Sequence, residues 1–362
     1  MSDFPNVSAD DKDFQLNDFD KITELVKAEF QIQEAILEHG TPTYYLSSHQ
    51  ETKEEFLRLL DALDKIELVA FLRKIEGRIV LKVVRKPPEK PSNPRINIIL
   101  LLATIGTTFI TGYIYFPGTG IDPILSGVMF SAAILMVLGI HEMGHKLTAN
   151  KKRIETTNPY FIPGPPPLGT LGAVIMQKSL PRNRDALFDV GANGPISGFI
   201  VALIFSAVGL LLLIPAPPPP DAGALSLMPA SWILLAQFFS SLNLLPTPPP
   251  NGVLLLHPLT WAGWAGMIVT MLNLLPAATL DGGHVVRSIL ANEKARLATT
   301  FASVALLLLA GTEFVTMAFF IIFMSMFRHP GPLDDVSSLS RNRKLLISAL
   351  IAIFVLSFPV RT

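Results

Sequence analysis

The residues with the clearest chemical potential in this chain of 362 are His141 and His145. They stand at i and i+4 in "LGIHEMGHKLTAN" (138–150), so a helix carries both imidazoles on one face, close enough to share a metal ion. Glu142 follows the first histidine, where its carboxylate reaches a metal-bound water. Two histidines leave zinc short of a ligand. A second polar island, "MLNLLPAATLDGGHVV" (271–286), offers Asp281, which a turn at Gly282-Gly283 is expected to free from its helix and swing toward the histidines. Two histidines and an aspartate, with water in the fourth position, make a catalytic zinc arrangement rather than a closed structural one. His284 is a candidate fourth ligand, a partner of the ligands, or an interfacial residue, the last two being favoured. His257, ahead of a proline, reads as structural.

The elements that position these groups follow from composition. Half the chain is hydrophobic, 16% is charged and cysteine is absent, which excludes a disulfide scaffold, thiolate zinc sites and a cysteine nucleophile. Twenty-nine basic residues balance twenty-nine acidic ones, so no global field favours nucleic acid. Residues 1–95 hold 32 of those 58 charges, and the other 267 residues carry 26. A soluble domain of that size needs a more charged surface, so the larger part is built for lipid. Burying His141, Glu142 and His145 at bilayer depth is costly unless they are paired or liganded, which strengthens the metal reading.

Residues 1–86 read as a small soluble α+β domain. Helical periodicity runs through 18–40, "TPTYYLS" reads as a strand, 52–63 as an amphipathic helix capped by Thr52, and 67–86 as a hairpin about Glu76-Gly77. A Pro-rich basic linker (87–95) leads into the membrane part, 96–362. Seven runs approach the length needed to cross a ~30 Å apolar core, near 96–116, 123–149, 194–215, 258–280, 295–311, 314–327 and 344–360. The run 229–246 is expected to lie at the interface or re-enter. Starting from a cytoplasmic N-terminus, this count puts Lys151, Lys152, Arg153, Arg182, Arg184, Arg287, Lys294, Arg296, Arg328, Arg341, Arg343 and Lys344 inside. Asp122, Asp221 and Glu313 fall outside, with the terminal Arg361 the only outer cation, an asymmetry that the positive-inside rule predicts. Both zinc-binding motifs then lie toward the cytoplasm. The first apolar run starts too late for a signal peptide and the polar start is not transit-like, so a prokaryotic plasma membrane is expected.

The ordered motifs "HEMGH" (141–145), "NPYFIPGPPPLGTLGAVI" (158–175), "GANGPISG" (191–198) and "NLLPAATLDGGH" (273–284), with the later "PLDDV" (332–336), resemble the site-2 protease family of intramembrane zinc metalloproteases. The similarity covers the membrane part, and its subgroup includes chloroplast thylakoid and prokaryotic members. The resemblance implies His141, His145 and Asp281 as ligands of one zinc ion, Glu142 as catalytic base, a core of the second, third and fourth spans, and transmembrane proteins as substrates.

Peptide hydrolysis in such a site needs donors for a developing oxyanion, for which Asn193 and Asn273 are candidates; the structural alternative is hydrogen bonding between helices. A helical substrate must also unwind. The segment Gly169, Thr170, Leu171, Gly172, Ala173 and Val174 is a candidate re-entrant strand that pairs with it, against the plainer reading of a surface loop. The expectation is therefore an α-helical polytopic membrane protein with about seven transmembrane helices and a re-entrant β segment. A non-proteolytic holder of membrane partners has no need of Glu142. A metal transporter favours ligands spread along a path, whereas these gather at one depth. A prenyl-type protease normally takes a glutamate as third ligand.

Overall fold

The computed structural model describes residues 16–48, 50–88, 93–116, 118–217, 227–326 and 331–361. The sequence expectations at Asp221, Arg328 and linker residues 89–92 fall outside that range.

The chain begins with helix α1 (Leu16–Glu29), strands β1 (Ile32–Glu38) and β2 (Thr41–Leu46), helix α2 (Lys53–Asp64), and strands β3 (Leu68–Ile75) and β4 (Arg78–Arg85). The antiparallel sheet has the order β1-β2-β4-β3. Tyr44, Phe56, Leu59, Leu63, Leu72 and Leu81 form its core with the two helices. The helical periodicity expected through 18–40 stops at Glu29. Beyond it the chain pairs as a hairpin closed by His39 and Gly40, both at positive φ (50° and 76°), a geometry that suits the twist of two-residue hairpins. The Glu76-Gly77 turn repeats this device at 48° and 84°. Thr52 does precede α2, but its hydroxyl makes no cap and pairs instead with Ser337 Oγ at 2.9 Å.

The apolar part follows as α3 (Pro94–Tyr115), α4 (Pro123–Lys151), a hairpin of β5 (Tyr160–Pro163) and β6 (Thr170–Val174), and α5 (Arg184–Leu211). After these come β7 (Ile214–Ala216), β8 (Leu227–Pro229), α6 (Ala230–Ser241), β9 (Val253–Leu255), α7 (Pro258–Leu274), α8 (Asp281–Ile289), α9 (Glu293–Ala310), α10 (Val315–Ser325), α11 (Arg341–Ser357) and β10 (Pro359–Arg361). Short ribbons join β7 to β9 and β8 to β10. Among the described residues three helices, α3, α4 and α5, are long and apolar enough to cross a membrane by length and composition. Their exposed faces carry large apolar side chains, among them Ile98, Ile99, Leu102, Ile200 and Ile204. The expected fourth span is shorter than its apolar run: α7 has 17 residues, ~26 Å of helix, because the chain bends after Leu274. α5 starts ten residues before the expected 194, capped by Asn183 Oδ1 on the Ala186 amide. α6, with 12 residues, spans ~18 Å and is too short to cross the bilayer.

α4, α5 and α7 pack through small residues. A Cβ on Gly263 would lie 2.4 Å from Ser206 Oγ, one on Gly209 2.4 Å from Thr260 N, and one on Gly266 2.7 Å from Val137 Cγ1. Where hydrocarbon replaces water as solvent, such close backbone approach is what holds helices together.

Candidate metal centre

α4 presents His141 and His145 one turn apart, as their spacing requires. They face α5, where a backbone without side chains makes room for the rings. A Cβ on Gly194 would lie 2.0 Å from His145 Nε2, and one on Gly198 2.7 Å from His141 Nδ1. A Cβ on Gly144 of α4 would lie 2.6 Å from the Asn193 carbonyl oxygen. The "GANGPISG" stretch is thus a cradle for two imidazoles. Its small-residue spacing on a helix face was the signal available in the sequence, but the role of these glycines emerges only in three dimensions.

Asp281 arrives by a different route from the one expected. Gly282 and Gly283 are not a turn; they lie in the first turn of α8, which Asp281 itself opens. The redirection happens before them, across Leu275–Leu280, where Ala278 takes a positive φ of 48°. The glycines let α8 press on that bend: a Cβ on Gly282 would lie 2.2 Å from the Leu274 carbonyl oxygen, and one on Gly283 2.3 Å from that of Ala278.

The three donors form a nearly equilateral triangle. His141 Nε2 lies 3.1 Å from Asp281 Oδ2 and 3.2 Å from His145 Nε2, and the His145–Asp281 side is 3.3 Å. Atoms held at zinc–ligand distances of ~2.0–2.1 Å in tetrahedral geometry lie ~3.3 Å apart, so the triangle has the size of one face of a zinc tetrahedron. His145 Nδ1–H donates to the Val190 carbonyl at 2.7 Å, which fixes the ring with Nε2 toward the Asp281 carboxylate. His141 and Glu142 are 3% and 6% exposed, a burial that a charged or metal-binding pair tolerates only with partners.

The other expected residues divide. Asn273 Nδ2 comes within 3.4 Å of His141 Nε2 and faces the triangle. Asn193 Nδ2 donates back to the Asp189 carbonyl at 3.0 Å. His284 Nδ1–H donates to the Leu280 carbonyl at 3.0 Å, and His257 caps α7 by accepting from the Leu259 amide. The Glu142 carboxylate lies near the Ile175 amide, just past β6, so the hairpin sits beside the triangle. Of the expected segment, Thr170–Val174 form the strand β6, paired antiparallel with β5 on one side and, among the described residues, with no strand on the other, while Gly169 lies in the bend before it. Leu171 is 71% exposed. α3 holds the hairpin at both ends: Asn97 Nδ2 donates to the Asn158 and Pro159 carbonyls, and Thr107 Oγ1 to that of Gly169 at 2.7 Å.

A His2Asp donor set with an adjacent glutamate, built into a bundle of apolar helices, is of the kind that can hold a metal ion for hydrolysis. Residues 129–311 match the family described as Peptidase family M50, and the chain belongs to that family. It is 34% identical over 216 residues, 59% of its length, to a protein of Arabidopsis thaliana named probable zinc metalloprotease EGY2, chloroplastic. It is 31% identical over 235 residues, 63% of its length, to the EGY1 protein of the same plant, which carries the same description. The chain spans 37% and 42% of the length of these two relatives. The solved Site-2 Protease from Methanocaldococcus jannaschii aligns over 73% of this chain and 86% of its own, at 18% identity and a TM-score of 0.28.

Proposed function

We propose that this chain is a zinc endopeptidase that cuts membrane proteins within or beside their membrane-spanning segments. The depth of the donor triangle carries the reading. His141 stands ten residues before the end of α4 at Lys151, and Gly194 ten residues after the start of α5 at Arg184. Either distance is ~15 Å of helix, which supports a site below the membrane face rather than on it.

His141 Nε2, His145 Nε2 and Asp281 Oδ2 would hold the ion. Zinc in such a site supplies a Lewis acid and lowers the pKa of water toward ~7. Glu142 is the base: its carboxylate takes a proton from the attacking water and passes it to the leaving amide nitrogen. Asn273 Nδ2 is aimed where the carbonyl oxygen gains charge, with Asn193 as the further candidate. The Val190 carbonyl fixes the orientation of His145, and His284 braces the start of α8. Gly169, Thr170, Leu171, Gly172, Ala173 and Val174 offer a free strand edge beside Glu142, on which an unwound substrate gains backbone hydrogen bonds.

The apolar helices α7, α9 and α11, with the stretch 312–326 that contains the 11-residue α10, complete seven crossings, the β5–β6 hairpin being re-entrant. Residues 1–86 act as an accessory domain joined through the linker 87–95 to the protease domain, 96–362. The charge asymmetry supports an N-terminus and metal site on the cytoplasmic side of the membrane.

The test is reconstitution of the full chain with a tagged transmembrane substrate, comparing wild type with Glu142→Gln and measuring bound zinc in both. Cleavage lost in the variant while zinc stays supports the reading. Equal cleavage removes Glu142 as the base, and wild type without zinc removes the site.

A further inference from the structure

The segment between α10 and α11 binds the N-terminal sheet to the helix that carries Asp281. Leu333 inserts into the core of the sheet domain. Its backbone runs along the β3 edge: the Leu72 amide donates to the Leu333 carbonyl at 2.9 Å and the Asp335 amide to the Leu72 carbonyl at 3.1 Å. On the opposite side the Leu333 and Asp334 amides donate to the Pro181 and Arg182 carbonyls, just ahead of α5. Asp334 is thus bridged in parallel to both Leu72 and Asn183, and the segment fills the gap between sheet and bundle as a short added strand.

Asp335, at the end of that strand, points into the bundle. Its carboxylate takes both terminal nitrogens of Arg287, Nη1 to Oδ1 at 2.9 Å and Nη2 to Oδ2 at 2.6 Å. Arg184 Nε, from the first turn of α5, donates to the same Oδ1 at 3.1 Å. Arg287 is 6% exposed and lies on α8, six residues after Asp281. α8 has only nine residues, ~13 Å, so its two ends move together. A bidentate pair fixes direction as well as distance, which a lysine or a water does not.

We infer that Asp335 is a positioning residue for the metal centre: through Arg287 it sets the orientation of α8 and hence of the Asp281 carboxylate. The inference rests on Asp281 as the third ligand. Asp335 touches neither metal nor substrate in this role. It acts by holding a helix whose other buried contacts with the bundle are its glycines, Val285 and Ser288.

The experiment measures zinc affinity of the full-length protein in detergent by chelator competition, together with the visible spectrum after cobalt substitution, which reads ligand geometry. Asp335→Asn is expected to weaken zinc by about tenfold, at the low end of losses for groups outside the ligand set, and to change the cobalt spectrum. Asp335→Glu should recover part of both. Asp61→Asn serves as the control, since Asp61 docks the same domain through Arg153 and Arg182 without touching α8; its affinity and spectrum should match wild type. If Asp335→Asn does not accumulate, Arg287→Lys carries the same expectation. Unchanged affinity and spectrum in these variants overturn the inference, as does an equal loss in Asp61→Asn. Wild type that binds no zinc overturns the ligand assignment as well, which separates the two failures.

Discussion

Gly194 and His145 are in such close apposition that a methyl group on the glycine would lie 2.0 Å from the imidazole Nε2. The same glycine-lined face of α5 admits His141 at Gly198. The metal centre therefore depends on atoms that are missing as much as on those present. Gly194→Ala is expected to displace His145, abolish stoichiometric zinc binding and remove activity, while the protein still inserts into membranes. Gly106→Ala, at a site with nothing within 4 Å, is the matched control and should be neutral or stabilising by ~0.4–1 kcal/mol. Metal analysis of the two purified variants checks this.

Glu142 and Asp281 should separate chemistry from binding. Glu142→Gln keeps the volume and the burial, so zinc is expected to stay while the cleavage rate falls by about 10²–10⁴-fold, the share a positioned acid–base contributes. Asp281→Ala removes one of three donors and should lose metal and activity together. Bound zinc per chain and turnover, measured side by side, distinguish the two patterns.

The hairpin is expected to govern substrate binding more than metal binding. Gly169 has φ 72°, and a Cβ there would lie 2.7 Å from the Thr107 carbonyl oxygen. Gly169→Ala should pull the start of β6 from α3 and raise KM by more than it lowers kcat, with zinc content unchanged. A fall in zinc with KM untouched would show that β6 serves the site rather than the substrate.

Acid should loosen the N-terminal domain before it unfolds the bundle. Burial pushes the Asp335 carboxyl up, but hydrogen bonds and charge from Arg287, with Arg184, outweigh it and hold the group below its ordinary value. Asp61 behaves alike, burial being outweighed by Arg182 and Arg153. A depressed carboxylate contributes stability that is present above its unfolded pKa of ~3.9 and is lost as pH falls through the lower folded value. Protease resistance of the docked domain should thus be flat from neutral pH to about 5 as far as these groups decide it, and decline below ~4. Asp61→Asn should remove less than ~1 kcal/mol of it, since that side chain is 46% exposed.

Much of the site was legible in the chain itself. His141 and His145 at i and i+4 can share an ion on any helix, and an apolar run makes their burial meaningful, so spacing and composition together pointed to a metal. The "LDG" aspartate was legible as a rare acid in an apolar region. Local turn chemistry also read correctly at Glu76-Gly77, where two left-handed residues suffice to close a hairpin.

What the sequence could not decide is what depends on approach between distant segments. Helical periodicity persists through Glu38, yet the partner strand 41–46 claims residues 32–38, because sheet pairing outweighs a weak local preference. Thr52 stands where a cap belongs, but Ser337, far along the chain, takes its hydroxyl. Gly282-Gly283 has the look of a turn and is instead the contact that lets α8 press on the bend at Leu275–Leu280. Residue types and spacing determined which groups could bind a metal. The packing of α5 against α4, and of α8 against both, decided that Val190 orients His145, that glycines make room for the rings, and that Asp281 closes the triangle. These depend on backbone-to-backbone distances, which no single segment encodes.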